Sequence, residues 1–229
     1  MIKNMAVKMN GCLNGMLVAE RALGEKMTAS TGAFELARLL ASSPTAEALA
    51  ATMPPASWMP SSTAAVIGLL FHDRFGDALD FCRTETLFSS PASQCSALAA
   101  SILVSSACFD VPMGIWPNEV GTMLKGLDND FVAMIDEAVV SATGVVPESE
   151  YFTHVNKIAD PDTAIVVMTM FACLRGRSFK ISTDIAKAAG PLVTCLTGAV
   201  MGTAFPDVVD EGDKDVKEII DLLIARRNL

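Results

Sequence analysis

Carboxylates supply the first candidates for chemistry in this sequence. Asp73, Asp77 and Asp80 fall on one helical face, and the motif Asp160-Pro161-Asp162-Thr163 opens an apolar helix. Either arrangement can hold a hard cation such as Mg²⁺. The first set lies beside two arginines, which favours a solvated charged face. The second is also an ordinary helix start, because Asp caps helices and Pro suits their first turn.

Other residue types that perform chemistry lack the patterns that would make them sites. The sequence has no Gly-x-Ser-x-Gly elbow, no P-loop, no dinucleotide-binding glycine motif and no His-Glu-x-x-His. His72 and His154 have no carboxylate–nucleophile pair near them in sequence, so we expect surface or helix-end positions for both. The six cysteines lie far apart in apolar stretches without a Cys-x-x-Cys pair. This spacing predicts free thiols and a reduced, cytoplasmic protein.

Composition limits the classes of protein to which the chain can belong. Of 229 residues, 51% are hydrophobic and 19% are charged, which excludes intrinsic disorder. The formal net charge of −9 predicts no nucleic-acid binding, because such a chain repels phosphate backbones. Its apolar runs fall short of the ~20 residues that cross a bilayer, so we expect no membrane span. The apolar excess must be buried in helices or at an interface, which favours a homo-oligomer.

Helical periodicity recurs along the sequence, and the alternation that marks strands is almost absent. We therefore predict a single all-α domain over residues 1–229, with nine or ten helices in a compact bundle. After two helices near the start and a short apolar stretch over 63–71, the chain predicts helices over 75–88 (after Asp73 as a cap), 90–109, 128–142, 163–174, 191–205 and 214–227. Asp213 is expected to cap the last of these, and residues 112–126 are expected to be irregular.

Glycine pairs mark two of the predicted helices. Gly11 and Gly15 lie one helical turn apart near the start, and Gly198 and Gly202 repeat that spacing near the end. Glycine inside a helix costs about 1 kcal/mol relative to alanine, so a repeated pair needs a reason. The spacing predicts that a neighbouring backbone approaches closely at each pair.

Six segments, taken in order, resemble the ADP-ribosylglycohydrolase family. Residues 9–24 (MNGCLNGMLVAERALG) resemble its opening Gly-rich helix, and residues 28–37 (TASTGAFELA) are similar to its Thr-Asp-Asp-Thr motif. The remaining four are similar to its middle and final helices: 60–71 (PSSTAAVIGLLF), 90–106 (SPASQCSALAASILVSS), 164–179 (AIVVMTMFACLRGRSF) and 185–202 (IAKAAGPLVTCLTGAVMG). The resemblance covers most of the chain and implies a compact, all-α orthogonal bundle.

The resemblance also implies chemistry for which this chain lacks the residues. Family enzymes hold two Mg²⁺ ions, which position ADP-ribose and a water for cleavage of a glycosidic bond. Their first pair of metal-binding aspartates corresponds to Ala29 and Ser30, and their second pair corresponds to Ala189 and Pro191. The arginine of their middle helix corresponds to Thr63. We therefore expect no metal, no cofactor and no catalytic residue in the family's sense.

Three functions follow from the resemblance. The favoured one is a pseudoenzyme, with a structural, binding or regulatory role. The second is a module that binds ADP-ribose or a related nucleotide in the vestigial pocket, with the hydroxyls of Thr28, Ser30 and Thr31 as donors. The third is a hydrolase with an altered, metal-independent mechanism, in which Glu20 or Asp162 acts as general base.

Overall fold

Thirteen α-helices make up most of the computed structural model, which describes residues 2–24, 29–43, 45–52, 60–85, 87–208 and 213–227. They are Ile2–Arg21 (α1), Ala29–Ser42 (α2), Ala46–Thr52 (α3), Ala65–Leu70 (α4), Phe75–Cys82 (α5), Pro91–Cys108 (α6), Trp116–Leu124 (α7), Asn129–Thr143 (α8), Glu148–Ile158 (α9), Pro161–Gly176 (α10), Phe179–Ala186 (α11), Pro191–Ala204 (α12) and Lys214–Arg227 (α13). Four 3₁₀-helices join them: Ser61–Ala64 (η1), Met113–Ile115 (η2), Lys187–Ala189 (η3) and Pro206–Val208 (η4). Because these ranges contain no strand, the all-α prediction is confirmed.

The core is built around α10 and α12, which are buried along almost their whole length. α1 packs along α12, α8 and α11 pack against α10, and α4 packs against α6. The buried apolar side chains form one cluster that reaches from α1 to α13. Much of the apolar excess in the composition is therefore covered within the chain. None of the helices in the described ranges combines the length and apolarity needed to cross a membrane.

Side-chain caps fix the starts of several helices where the sequence predicts them. The Ser90 hydroxyl accepts the backbone N–H of Ser93 at 3.1 Å, and Pro91 occupies the first helical position of α6. Asp128 and Asp213 cap α8 and α13 in the same way, with carboxylate-to-nitrogen distances of 2.9 and 3.0 Å. Each cap satisfies an N–H group that has no partner within the helix.

The structure differs from the predicted helices at the end of α5. The sequence predicts this helix over 75–88, but in the structure it ends at Cys82. Arg83 is its C-cap and begins a turn. Arg74 occupies the N-cap position, and its side chain makes no capping bond there. The prediction that Asp73 caps this helix is therefore wrong.

Four helices, α3, α7, α9 and α11, lie where the sequence analysis predicts none, and α7 and α9 show why. α7 falls inside the segment predicted to be irregular. A helix can form there because Pro117 lies in its first turn, where proline is tolerated. Its apolar face, with Trp116 and Val120, is buried. α9 follows Pro147 and places Tyr151 on Phe171 of α10, with ring centroids 4.2 Å apart. Both helices are stabilised by packing that the local sequence does not reveal.

Both glycine pairs serve the same contact. A Cβ on Gly11 would overlap the backbone of Gly202, and a Cβ on Gly15 would overlap the backbone of Gly198. The predicted close approach is confirmed at both pairs, and each pair proves to be the partner of the other. Only glycine lets α1 and α12 lie this close.

Candidate functional site

Glu20 lies in the last turn of α1 in the interior of the protein, with 0% of its surface exposed. Its Oε2 accepts the backbone N–H of Ser30 at 3.0 Å. Ser30 is the second residue of α2, so the carboxylate caps a helix to which it does not belong. Glu20 therefore has a clear structural task, which is to hold the start of α2 against the end of α1.

The three hydroxyls predicted to line a pocket do not share one environment. Thr28 lies outside the described residues. Ser30 is buried, and its hydroxyl has no hydrogen-bond partner among the residues that the structure describes. Thr31, the next residue, is exposed. Of the pair that can be placed, Ser30 alone faces the interior.

Asp162 joins three elements through its carboxylate. Oδ1 accepts the backbone N–H of Ser61 in η1 at 3.2 Å, and Oδ2 accepts the hydroxyl of Ser93 in α6 at 2.5 Å. Asp160 caps the same helix, accepting the N–H of Asp162 at 3.0 Å. Both oxygens of Asp162 are thus engaged in bonds that fasten η1 and α6 to the start of α10.

A hydroxyl cluster surrounds this carboxylate. It consists of Ser61, Ser93, Ser96, Asp162 and Thr163; the Oγ of Ser96 lies 3.4 Å from Oγ1 of Thr163. Its four hydroxyl-bearing members are buried, and Asp162 is half-buried. Sequence reasoning selected Asp162 and missed the serines, although the run of hydroxyls at 61–63 after Pro60 was visible.

η1 is the element that brings the candidate residues together. It packs against α2, α6, α10 and α12, and its residues Ser61, Ser62 and Thr63 are buried. Thr63 bonds the carbonyl of Pro60 at 2.8 Å, whereas the Ser62 hydroxyl finds no partner within the described ranges. An unbonded buried hydroxyl costs about 1–3 kcal/mol, so Ser62 and Ser30 are the polar groups here that most need a partner.

The other acidic and histidine candidates lie at the surface or at helix ends. Asp73, Asp77 and Asp80 are exposed, and Asp77 pairs with Arg74 at 3.3 Å. The Nδ1 of His72 donates to the carbonyl of Leu69 at the end of α4, at 3.1 Å. His154 lies 3.2 Å from an exposed glutamate on α8. Across the described ranges, no three His, Cys, Asp or Glu side chains group as metal ligands would.

The thiols near Glu20 are held in their protonated form. All six cysteines are free, and four of them are completely buried. Burial raises the pKa of Cys12 to about 12, although a bond to Thr203 opposes the change. Burial also raises the pKa of Cys195, and the charges of Glu20 and Cys12 raise it further. A thiolate nucleophile is therefore disfavoured here at neutral pH.

Several segments that resemble the glycohydrolase family meet in this region. The end of α1 contacts the start of α2 through Glu20 and Ser30, and η1 packs on α2 and α12. The chain matches no family model and no curated protein. The resemblance therefore rests on the sequence segments alone.

Proposed function

We propose that this chain is a non-catalytic protein of the ADP-ribosylglycohydrolase-like type, which acts by binding or assembly. The observation that carries the proposal is that its two surviving candidate carboxylates are both engaged in structural hydrogen bonds. Glu20 caps α2, and Asp162 fastens η1 and α6 to α10. Residues without a carboxylate, Ala29 and Ser30, stand where the family has its first metal-binding pair.

The limited access of a substrate to both carboxylates supports the same proposal. A general base must come within hydrogen-bond distance of the proton that it removes. Glu20 has no exposed surface, so a substrate cannot reach it without opening the contact between α1 and α2. Asp162 is half-buried, and each of its oxygens already accepts a hydrogen bond.

A metal-independent site for an ADP-ribose-like ligand is the second candidate. The unbonded hydroxyls of Ser30 and Ser62 support it, because they belong to segments that pack against one another. A ligand would reach these buried hydroxyls only if α2 and η1 moved apart, and acceptors on it would then remove the cost of burying them unbonded. Thr31, which is exposed, would contact such a ligand only at its edge.

Titration with ADP-ribose, with and without Mg²⁺, separates these functions. At 100 times its dissociation constant, a ligand adds about 2.7 kcal/mol to stability, which a thermal-shift measurement detects. The favoured proposal predicts no Mg²⁺-dependent shift and no release of ADP-ribose from a modified peptide. A Mg²⁺-dependent shift together with release would overturn it.

A matched pair of variants tests the second candidate. Ser62→Ala removes an unbonded hydroxyl in η1, and Ser182→Ala removes an equally buried, unbonded hydroxyl in α11. A Mg²⁺-independent shift that Ser62→Ala abolishes and Ser182→Ala preserves would establish binding at η1. A shift that both variants preserve would place the ligand elsewhere.

We also propose that the protein forms a homo-oligomer. Exposed apolar side chains on and after α8 support this, with Val140 71% exposed and Val145 97% exposed. Sedimentation equilibrium over a dilution series measures the assembly directly. A species larger than 24.2 kDa that persists on dilution is expected, and a monomer at every concentration would refute the proposal.

A further inference from the structure

A cavity of about 170 Å³ lies at the opposite end of α6 from the hydroxyl cluster. The end of α4, together with α5, α6 and α7, encloses it. Three phenylalanines line it, Phe71, Phe75 and Phe109, with Met123 and Val111 beside them. This volume is below the ~300–1,000 Å³ that is usual for drug-sized ligands, so its occupant must be small.

Two of these rings are unusually accessible. Phe109 is 58% exposed and Phe75 is 38% exposed, although most aromatic residues of this chain are fully buried. Phe71 already stacks on Phe81, with ring centroids 4.9 Å apart, and carries the guanidinium of Arg74 over its ring. Phe75 and Phe109 are therefore the rings that a ligand can use.

The cavity is also lined by a carboxylate that makes no ion pair among the described residues. Glu119, in the first turn of α7, lines the cavity and is half-buried. Its carboxylate has no ion pair or hydrogen bond among the described residues. The Arg74 guanidinium, which lies over the ring of Phe71 in the cavity wall, is paired with Asp77 at 3.3 Å.

We propose that this cavity binds a small organic ammonium ion, such as an alkyl-trimethylammonium group. Aromatic rings attract cations through their electron-rich faces, most strongly where water is excluded. The methyl groups of such an ion would contact Phe75 and Phe109, and Glu119 would balance its charge. An anion would be repelled by Glu119, and a neutral apolar molecule would leave that carboxylate unpaired.

His72 also lines this cavity, next to Phe109. Its ring lies 5.2 Å from that of Phe109, tilted by 58°, and its Nδ1 bonds the carbonyl of Leu69. A protonated imidazole would repel a cation, whereas a neutral one adds a further aromatic surface.

Calorimetric titration with choline chloride tests the proposal, and 3,3-dimethyl-1-butanol is the matched neutral probe. The two molecules share their shape, but the alcohol has a carbon in place of the charged nitrogen. We expect choline to bind about tenfold tighter than the alcohol, in line with cation–π energies in partly desolvated sites. Equal affinities would overturn the proposal, as would no detectable binding of choline at millimolar concentration.

Three variants locate the binding. Glu119→Gln keeps the shape and removes the charge, and should weaken choline binding about tenfold. Phe109→Leu removes an exposed ring and should weaken it about fivefold, without disturbing the core. Met123→Leu alters the same wall without changing a ring or a charge, and should leave the affinity within about twofold. Choline binding that survives both Glu119→Gln and Phe109→Leu, in variants with unchanged circular dichroism, would place the cation elsewhere and refute the site.

Discussion

Gly15 of α1 and Gly198 of α12 lie in direct backbone contact, so that a Cβ on either residue would overlap the carbonyl oxygen of the other. Gly11 and Gly202 repeat this relationship one turn along the same two helices. α1 and α12 therefore approach more closely than helices separated by side chains can. The contact joins an early helix of the chain to a late one and anchors α1 to the core.

Gly198→Ala should destabilise the protein strongly, because the added methyl meets backbone that cannot move aside. Overpacking of this kind costs about 1–3 kcal/mol or more, measured as the free energy of unfolding in urea. Gly76→Ala is the matched control, since a Cβ there meets nothing within 4 Å. That change should stabilise α5 by up to about 1 kcal/mol, and equal effects of the two substitutions would contradict the contact.

Glu20→Ala should lower the free energy of unfolding by about 1–3 kcal/mol, because the N–H of Ser30 loses its buried acceptor. Glu20→Gln retains an oxygen that can accept this bond, so this substitution should lower the free energy of unfolding by less. Glu35→Ala removes an exposed carboxylate from the same α2 and should change stability by no more than about 0.5 kcal/mol. Equal losses for Glu20→Ala and Glu35→Ala would show that the cap contributes nothing.

A double-mutant cycle measures the bond between Ser93 and Asp162. Ser93→Ala and Asp162→Ala should each lower the free energy of unfolding. The double variant should lower it by less than the sum of the two single losses. Residues in direct contact typically couple by about 0.5–3 kcal/mol. Ser93→Ala combined with Thr153→Ala, on the exposed face of α9, should be additive. Additivity in both pairs would mean that the 2.5 Å contact does not stabilise the fold.

Stability should fall as the pH rises above about 9 under reducing conditions. Burial raises the pKa of Cys12 to about 12, and it raises the pKa values of Cys82, Cys173 and Cys195 as well. An unfolded thiol then releases its proton before a folded one does, so unfolding becomes favoured by up to about 1.4 kcal/mol per pH unit for each thiol. The contribution is fully present below the pKa of the unfolded thiol and is lost above it.

Denaturation in urea from pH 7 to pH 10 checks this expectation. Cys82→Ala should show a shallower decline in the free energy of unfolding than the unaltered protein, whatever its stability at neutral pH. An identical decline would contradict a raised pKa for Cys82.

Alkylation of the native protein should report the same burial residue by residue. Cys95 is half-buried, whereas Cys12 is buried completely. Iodoacetamide should therefore modify Cys95 first, and the buried thiols should react only at the rate of unfolding. Peptide mass spectrometry follows each site, and early labelling of Cys12 would contradict the packing of α1 on α12.

Helices whose ends carry their own signals could be predicted from the sequence, and helices that depend on packing could not. α6 and α12 each begin at a proline, and the Ser90 cap marks the start of α6. α9 lacks a side-chain cap and gains its stability from the stacking of Tyr151 on Phe171, a contact between separate helices. No local pattern contains that information.

The candidate site also has a part that local sequence predicts and a part that depends on the folded arrangement. Asp162 was identifiable from its motif, because the motif is local. Its partners Ser61 and Ser93 belong to other elements, and a serine in a sequence carries no sign of what it will meet. The glycine pairs predicted a close approach for each helix, but their identity as mutual partners depended on the folded arrangement.

The contact between α1 and α12 also affects the order in which the protein can be completed during synthesis. α1 leaves the ribosome before α12, with an apolar face that includes Leu13 and Met16, and ten helices are translated between the two partners. Contacts between distant parts of a chain slow folding, and apolar surface that stays uncovered invites aggregation. Until α12 is made, the apolar face of α1 is therefore a surface that a chaperone could cover.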